Sequence, residues 1–543
     1  MQTITFGEKS VNFSIGPWRA ARRGLLALAI TAALAHGARA QPAGPVVRVA
    51  SGEVSGEVRA AVASFKGIPF AQPPVGALRW RAPQAPTPWQ GIRPSVSYGP
   101  DCMQVPFPGD AAPLGVKPAE DCLYLNVWTP AQFTGRRLPV MVWIYGGGFV
   151  NGGSSPPEYD GSAFARDGVV LVSFNYRLGS FGFFAHPALS AEQAGGPIGN
   201  YGLMDQIAAL KWVQRNVGAF GGDPANVTVF GESAGGMSVN SLLTSPLAQG
   251  LFQKAMIESG GGRSGALGAR KLSGGPDSAE AKGLALARSF GIEGSDAAAL
   301  LKLRAIPAQR LLGNLNMATM ASNPNYVGGP IEDGVLNVGT PVAAYAAGKA
   351  QVVPVVVGAN SMDIGFMRAR TLDELFAQFG PDEAAARAAY GMNPATPVAA
   401  VAFKAGGDQM MVEPAREIAR VLSARQPVFE YRFSYVAESL RKTTPGAPHA
   451  TEIPYVFDTV AVRYGKDLTA ADEAAARAMH AYWVGFAKTG VPQAAGYPAW
   501  PAYQPQTDQI MDFTASGPVA GPDPWKVRLD LARRFSTRHE AAH

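Results

Sequence analysis

Ser233 stands in the run Gly231-Glu232-Ser233-Ala234-Gly235, with a further glycine at 236 and the strand formers Val227, Val229 and Phe230 before it. That order predicts a strand, a sharp turn and then a helix. Small residues two places either side of the serine permit a strained turn that lifts its hydroxyl clear of the sheet while the next helix packs closely. A serine presented this way can attack a carbonyl carbon once a base takes its proton. With glycine at 63 of 543 positions the five letters alone are weak, and a glycine-rich loop competes with the nucleophile reading. The preceding strand and the small-residue helix start favour the nucleophile.

The base should be a histidine oriented by a buried carboxylate. In hydrolases with this turn the chain order is serine, acid, histidine, which leaves His449, His480, His539 and His543. His539 and His543 fall in a charged tail expected to be mobile. His480 lies inside a helical pattern and reads as structural or exposed. His449 sits in Gly-Ala-Pro-His-Ala-Thr-Glu, a loop after a strand, and is the candidate base. For the acid, Asp363 follows the apolar run ending at Gly358, just off a strand end. Asp333 in Pro-Ile-Glu-Asp-Gly also falls between Ser233 and His449, and a solvated surface role competes for Asp363. Gly146, Gly147 and Gly148 follow another apolar run and, with the N–H of Ala234, could turn backbone donors toward a developing oxyanion. A phosphate loop is the rival there, but no Gly-Lys-Ser/Thr follows.

These residues need a sheet to position them. Val140–Tyr145 and Val169–Phe174 are short uninterrupted apolar runs, as expected of central strands buried on both faces. Leu203, Ile207, Leu210, Val213 and Val217 recur at helical spacing before the Ser233 strand. Further core strands are expected at 255–258, 352–358 and 429–435, and antiparallel edge strands between Val46 and Phe65. Ala-rich stretches at 265–328 and 371–406 read as a helical cap, and a helix over 469–489 should stop at Gly490. Strands alternating with helices predict a doubly wound, mostly parallel α/β sheet.

Residues 1–40 read as a signal peptide: Arg19, Arg22 and Arg23, an apolar run from Gly24 to Ala35, then Ala38-Arg39-Ala40. A helix of the mature fold is the competing reading, and Arg22-Arg23 leaves twin-arginine export open. The segment carries five basic residues and one acid, so the remaining chain has a net charge of +2. A balance so near neutral, with no basic run interleaved with aromatics, argues against nucleic acid as a partner. Cys102 and Cys122, an even pair in an exported chain, suggest a disulfide, against two unrelated thiols. So few Cys and His exclude a Cys-rich zinc site and disfavour a His-rich one.

The chain resembles the type-B carboxylesterases, which include bacterial p-nitrobenzyl esterases and animal cholinesterases. The resemblance is carried by Glu120–Pro130 (EDCLYLNVWTP), Phe220–Gly235 (FGGDPANVTVFGESAG), WIYGGGF, Asn175–Phe183 (NYRLGSFGF) and the helix ending FAKTG. It implies an α/β-hydrolase fold with antiparallel N-terminal strands and a helical cap, and one domain over 41–543. It implies Ser233 as nucleophile, His449 as base and Asp363 rather than Asp333 as acid. Gly147, Gly148 and Ala234 would form the oxyanion hole, and Cys102 and Cys122 the disulfide. Many members hold glutamate where this chain has Asp363, so the loop must approach His449 more closely. Cholinesterases also place a tryptophan inside the disulfide loop, and residues 103–121 contain none, which removes the usual cation–π platform. Phe107, Met317, Met320, Phe366 and Met367 are apolar pocket candidates, each competing with a core role. The expectation is a periplasmic or secreted serine esterase, monomeric, acting on uncharged aryl or alkyl esters without cofactor, metal or stable membrane insertion. An amidase, a narrow xenobiotic-detoxifying esterase and a non-catalytic binding relative are the alternatives.

Overall fold

The computed structural model describes residues 44–541, apart from 108, 111, 264–268 and 392–395. The signal-peptide reading of 1–40 and His543 lie outside the described residues.

An eleven-stranded sheet organises the chain. Its strands are β1 (Glu57–Arg59), β2 (Val62–Pro69), β3 (Tyr124–Pro130), β4 (Leu138–Ile144), β5 (Val170–Phe174), β6 (Gly222–Glu232), β7 (Lys254–Glu258), β8 (Val355–Asn360), β9 (Val428–Phe433), β10 (Gln509–Thr514) and β11 (Gly517–Pro522). They lie in the order β1-β2-β3-β5-β4-β6-β7-β8-β9-β10-β11. The block from β5 to β10 is parallel, and the outer strands at both edges pair antiparallel. The expected antiparallel N-terminal strands are therefore present. Val46–Val49 and Gly52–Ser55 form a separate small sheet with Ile92–Pro94.

Strands β4 and β5 are almost wholly apolar because helices cover both of their faces, leaving no side exposed to water. Val140 to Ile144 and all of β5 are buried. Six helices matter for the site: α1 (Tyr201–Asn216), α2 (Ala234–Thr244), α3 (Val398–Gly407), α4 (Glu413–Leu422), α5 (Ala470–Thr489) and α6 (Lys526–Ala541). Helix α5 starts on a capping box between Thr469 and Asp472 and stops at Gly490, whose φ of 79° suits glycine. Among the described residues no helix is long and apolar enough to cross a membrane.

Two expectations need correcting. The C-terminal stretch with His539 is not a mobile tail but α6, pinned to the body by Arg528–Asp408, Arg534–Asp382 and Arg538–Asp382 ion pairs. Its charge pattern misled because these partners are distant in sequence. The second Ala-rich stretch forms an apolar cluster of its own, Leu375, Phe376, Phe379, Val401 and Ala405 with Leu531 of α6. Met367 packs against that cluster, the core role that competed with a pocket one, and Phe366 is 63% exposed.

Candidate active site

Strand β4 connects to β5 on one side and β6 continues to β7 on the other, so the strand order reverses between β4 and β6. In open parallel sheets the carboxyl ends of the strands at such a switch point frame the ligand crevice. The glycine-rich loop leaves β4 there and the serine turn leaves β6.

Ser233 has φ 55° and ψ −120°, a positive φ that a non-glycine residue rarely adopts. Its neighbours explain how the turn survives. A Cβ on Gly235 would lie 1.9 Å from the Ile144 carbonyl oxygen, and one on Gly231 would lie 2.6 Å from the same atom. Only hydrogen fits at either place. The Ser233 N–H donates to the Glu258 carbonyl (2.9 Å), and Ala234 opens α2 at its positive end. Across the crevice, a Cβ on Gly146 would lie 3.0 Å from Ser233 Cβ. Gly147 and Gly148 have φ of 102° and 62°, which requires glycine for this turn. A Cβ on Gly148 would lie 3.6 Å from Met317 Cγ and Met320 Sδ, so the cap reaches the glycine loop at these two methionines.

His449 and Asp363 come together over 86 residues of sequence: His449 Nδ1 lies 2.6 Å from Asp363 Oδ1. Asp363 Oδ2 accepts from Ser259 Oγ (2.7 Å) and the Asn360 N–H (3.0 Å). The loops are stitched to each other by Met362 N–H to the Ala447 carbonyl, Ala447 N–H to Ser361 Oγ and Asn360 Nδ2 to the Pro448 carbonyl. Beneath Asp363, a Cβ on Gly407 would meet its carbonyl oxygen at 2.6 Å, and one on Gly365 would meet Gly406 at 2.0 Å. The Asp363 loop thus rests directly on the end of α3. His449 Nε2 lies 3.2 Å from Glu232 Oε1, so the free face of the ring is turned toward the serine turn.

Asp333 is elsewhere. Its Oδ1 accepts from the N–H groups of Val335, Leu336 and Asn337, and its Oδ2 from Asn200 Nδ2. It shapes a cap loop. His480 is buried against Phe164, with Nδ1 on the Val456 carbonyl. Cys102 and Cys122 form a disulfide.

Sequence reasoning missed a set of buried carboxylates around the histidine. Glu232, Glu258 and Glu452 are each pushed up to about 8, in each case chiefly by burial. Trp483 Nε1 donates to Glu258, and Asn360 Nδ2 to Glu452. Burial would lower His449, but the nearby carboxylates of Glu232 and Asp363 outweigh it and raise the ring above its ordinary value. Asp363 ends below the carboxylate norm because His449, Ser259 and the Asn360 N–H outweigh its burial. Only Glu232 had a signal, its place inside the serine motif. Among the described residues, no group of three or more His, Cys, Asp or Glu is arranged to hold a metal ion.

The chain also matches known proteins over most of its length. The carboxylesterase family model matches residues 43–390 and 393–523. The chain is 39% identical over 500 residues to the fumonisin B1 esterase of Sphingopyxis macrogoltabida, covering 88% of each. It is 36% identical over 484 residues to the para-nitrobenzyl esterase of Bacillus subtilis, covering 86% of this chain and 94% of that one. Among solved structures, a PNB esterase superposes with a TM-score of 0.77 at 32% identity, over 90% of this chain and 99% of the other. With the parallel sheet and the turn at Ser233, these matches make the chain a member of the type-B carboxylesterase family, a carboxylic ester hydrolase of α/β-hydrolase fold.

Proposed function

We propose that this esterase works through Ser233, His449 and Asp363, with Gly147, Gly148 and Ala234 as oxyanion donors. The observation that carries the reading is the 2.6 Å contact between His449 Nδ1 and Asp363, with Nε2 turned to the strained serine turn. In this reading Asp363 accepts the Nδ1–H and leaves the Nε2 lone pair for the Ser233 proton. The serine oxygen attacks the ester carbonyl, and backbone N–H groups stabilise the tetrahedral oxyanion. His449 then gives its proton to the departing alcohol. Water, deprotonated by the same nitrogen, attacks the acyl-enzyme and releases the acid, restoring Ser233. The substrates proposed are uncharged aryl and alkyl carboxylic esters, consistent with the apolar Met317 and Met320 at the oxyanion loop. Export is part of the proposal: it rests on the charge order of residues 1–40 and on a disulfide, which suits an oxidising compartment.

The test is a panel of aryl, alkyl and bulky esters on the purified enzyme, with a fluorophosphonate as active-site label. One equivalent should abolish hydrolysis and appear by peptide mapping on Ser233. An adduct on another residue would remove the nucleophile assignment.

The electrostatics add a pH prediction. The reaction needs neutral His449, so kcat/KM falls as pH drops through its pKa. A raised pKa moves that acidic limb upward. Glu232→Gln removes a neighbouring carboxylate that raises His449, so the limb should shift to lower pH. Rate–pH profiles of the two enzymes would show it, and coincident limbs would deny Glu232 this influence.

A further inference from the structure

The turn that carries Gly147 and Gly148 closes on the residues three and four places after Gly147. The Gly147 carbonyl accepts from the N–H groups of Val150 (3.1 Å) and Asn151 (2.9 Å). A Cβ on Gly147 would stand 2.4 Å from the Asn151 carbonyl oxygen. Whatever holds Asn151 therefore holds Gly147.

Asn151 is 1% exposed, and its amide is engaged at both ends. Nδ2 donates to the Val105 carbonyl (2.9 Å) and to Gln104 Oε1 (3.2 Å), while Oδ1 accepts the Met317 N–H (2.9 Å). Gln104, 5% exposed, grips the next residue from both sides. Its Oε1 accepts the Gly152 N–H (2.9 Å), and its Nε2 donates to the Gly152 and Cys102 carbonyls. The two amides thus join three separate segments: the disulfide loop, the oxyanion loop and the cap turn bearing Met317.

We propose that Asn151 and Gln104 are positioning residues for the oxyanion hole, a clasp that fixes the Gly147–Gly148 turn between the disulfide loop and the cap. This rests on the serine-esterase reading above and extends it. The chemistry of the pair fits the task. A buried amide is costly unless its polar atoms are paired, so the network resists sliding in a way that an apolar filler would not. The bound ester carries no oxyanion, which forms only as Ser233 attacks, so slack in its donors should appear in kcat rather than in KM.

The test compares Asn151→Ala, Gln104→Ala and the double variant with the parent enzyme. Each is measured for kcat and KM on a small aryl ester, for melting temperature and for inhibition by an aryl trifluoromethyl ketone. Ser233 Oγ adds to the ketone carbon, its proton passes to His449, and the carbonyl oxygen becomes the oxyanion, with no group leaving. For either single variant kcat should fall about 10- to 100-fold, the cost of a misplacement near 1 Å. The ketone inhibition constant should rise by a similar factor, while KM stays within about threefold. The double variant should be little worse than the worse single one, because both amides act on one turn. Unchanged kcat and ketone affinity, with only the melting temperature lowered, would reduce the clasp to a structural contact and overturn the proposal. If Asn151→Ala does not fold, Gln104→Ala alone decides by the same criteria. A parent enzyme that neither binds the ketone nor takes the phosphonate label at Ser233 would overturn the serine reading itself, and is distinguishable because it concerns no variant.

Discussion

Ser233→Ala is expected to lower kcat by about 10⁶-fold, the scale that loss of the nucleophile costs a serine protease, while leaving the fold and KM nearly unchanged. The fold should survive because the turn is held by backbone contacts and glycines, not by the hydroxyl. The Ser233 N–H donates to the Glu258 carbonyl, and Gly231 and Gly235 press on the Ile144 carbonyl. Alanine at φ 55° is as strained as serine, so stability should move little. Residual hydrolysis should remain above the uncatalysed rate, because the oxyanion donors and the bound ester remain. The measurement is a steady-state assay on protein free of contaminating esterase, with a melting curve beside it. Activity within tenfold of the parent would remove Ser233 from the chemistry.

What the sequence made legible follows from how local each signal is. The turn at Ser233, the parallel strands and the stop of α5 at Gly490 are written in runs of a few residues, and the structure places them as expected. The charged C-terminal stretch misled because its meaning lies in partners such as Asp382 and Asp408, more than a hundred residues away. The buried carboxylates around His449 were invisible for the same reason. The strand over 255–258 is expected in the core, but nothing in its sequence marks Glu258 as a buried carboxylate held by Trp483 of α5. The choice between Asp363 and Asp333 could not be made from chain order, since both fall between Ser233 and His449. Resemblance favoured Asp363, and the coordinates give the physical difference: one carboxylate meets an imidazole, the other three backbone N–H groups of its own loop.

Asp363→Asn should lower kcat by about 10⁴-fold with the fold intact, if the serine-protease precedent transfers to this site. Asp363 Oδ1 faces His449 Nδ1 at 2.6 Å, and an amide there can donate its own N–H to that nitrogen. The ring would then carry its proton on Nε2, where it cannot accept one from Ser233, and the imidazolium would lose its counter-charge. The lost charge should also let the acidic limb of kcat/KM fall to lower pH, because Asp363 is among the groups that raise His449. Asp363→Glu is the sharper variant. The backbone of Asp363 cannot retreat to accommodate another methylene, since its carbonyl already sits where a Cβ on Gly407 would be 2.6 Å away. The extra length must be absorbed by the His449 loop, so partial activity is expected, above Asp363→Asn and below the parent. Asp333→Asn is the control: its three N–H bonds hold a cap loop, so it should cost about 1 kcal/mol of stability and leave kcat nearly unchanged. A crippled Asp333→Asn beside an active Asp363→Asn would mean that the contact between Asp363 and His449 is not the one catalysis uses, and the acid role would pass to Asp333.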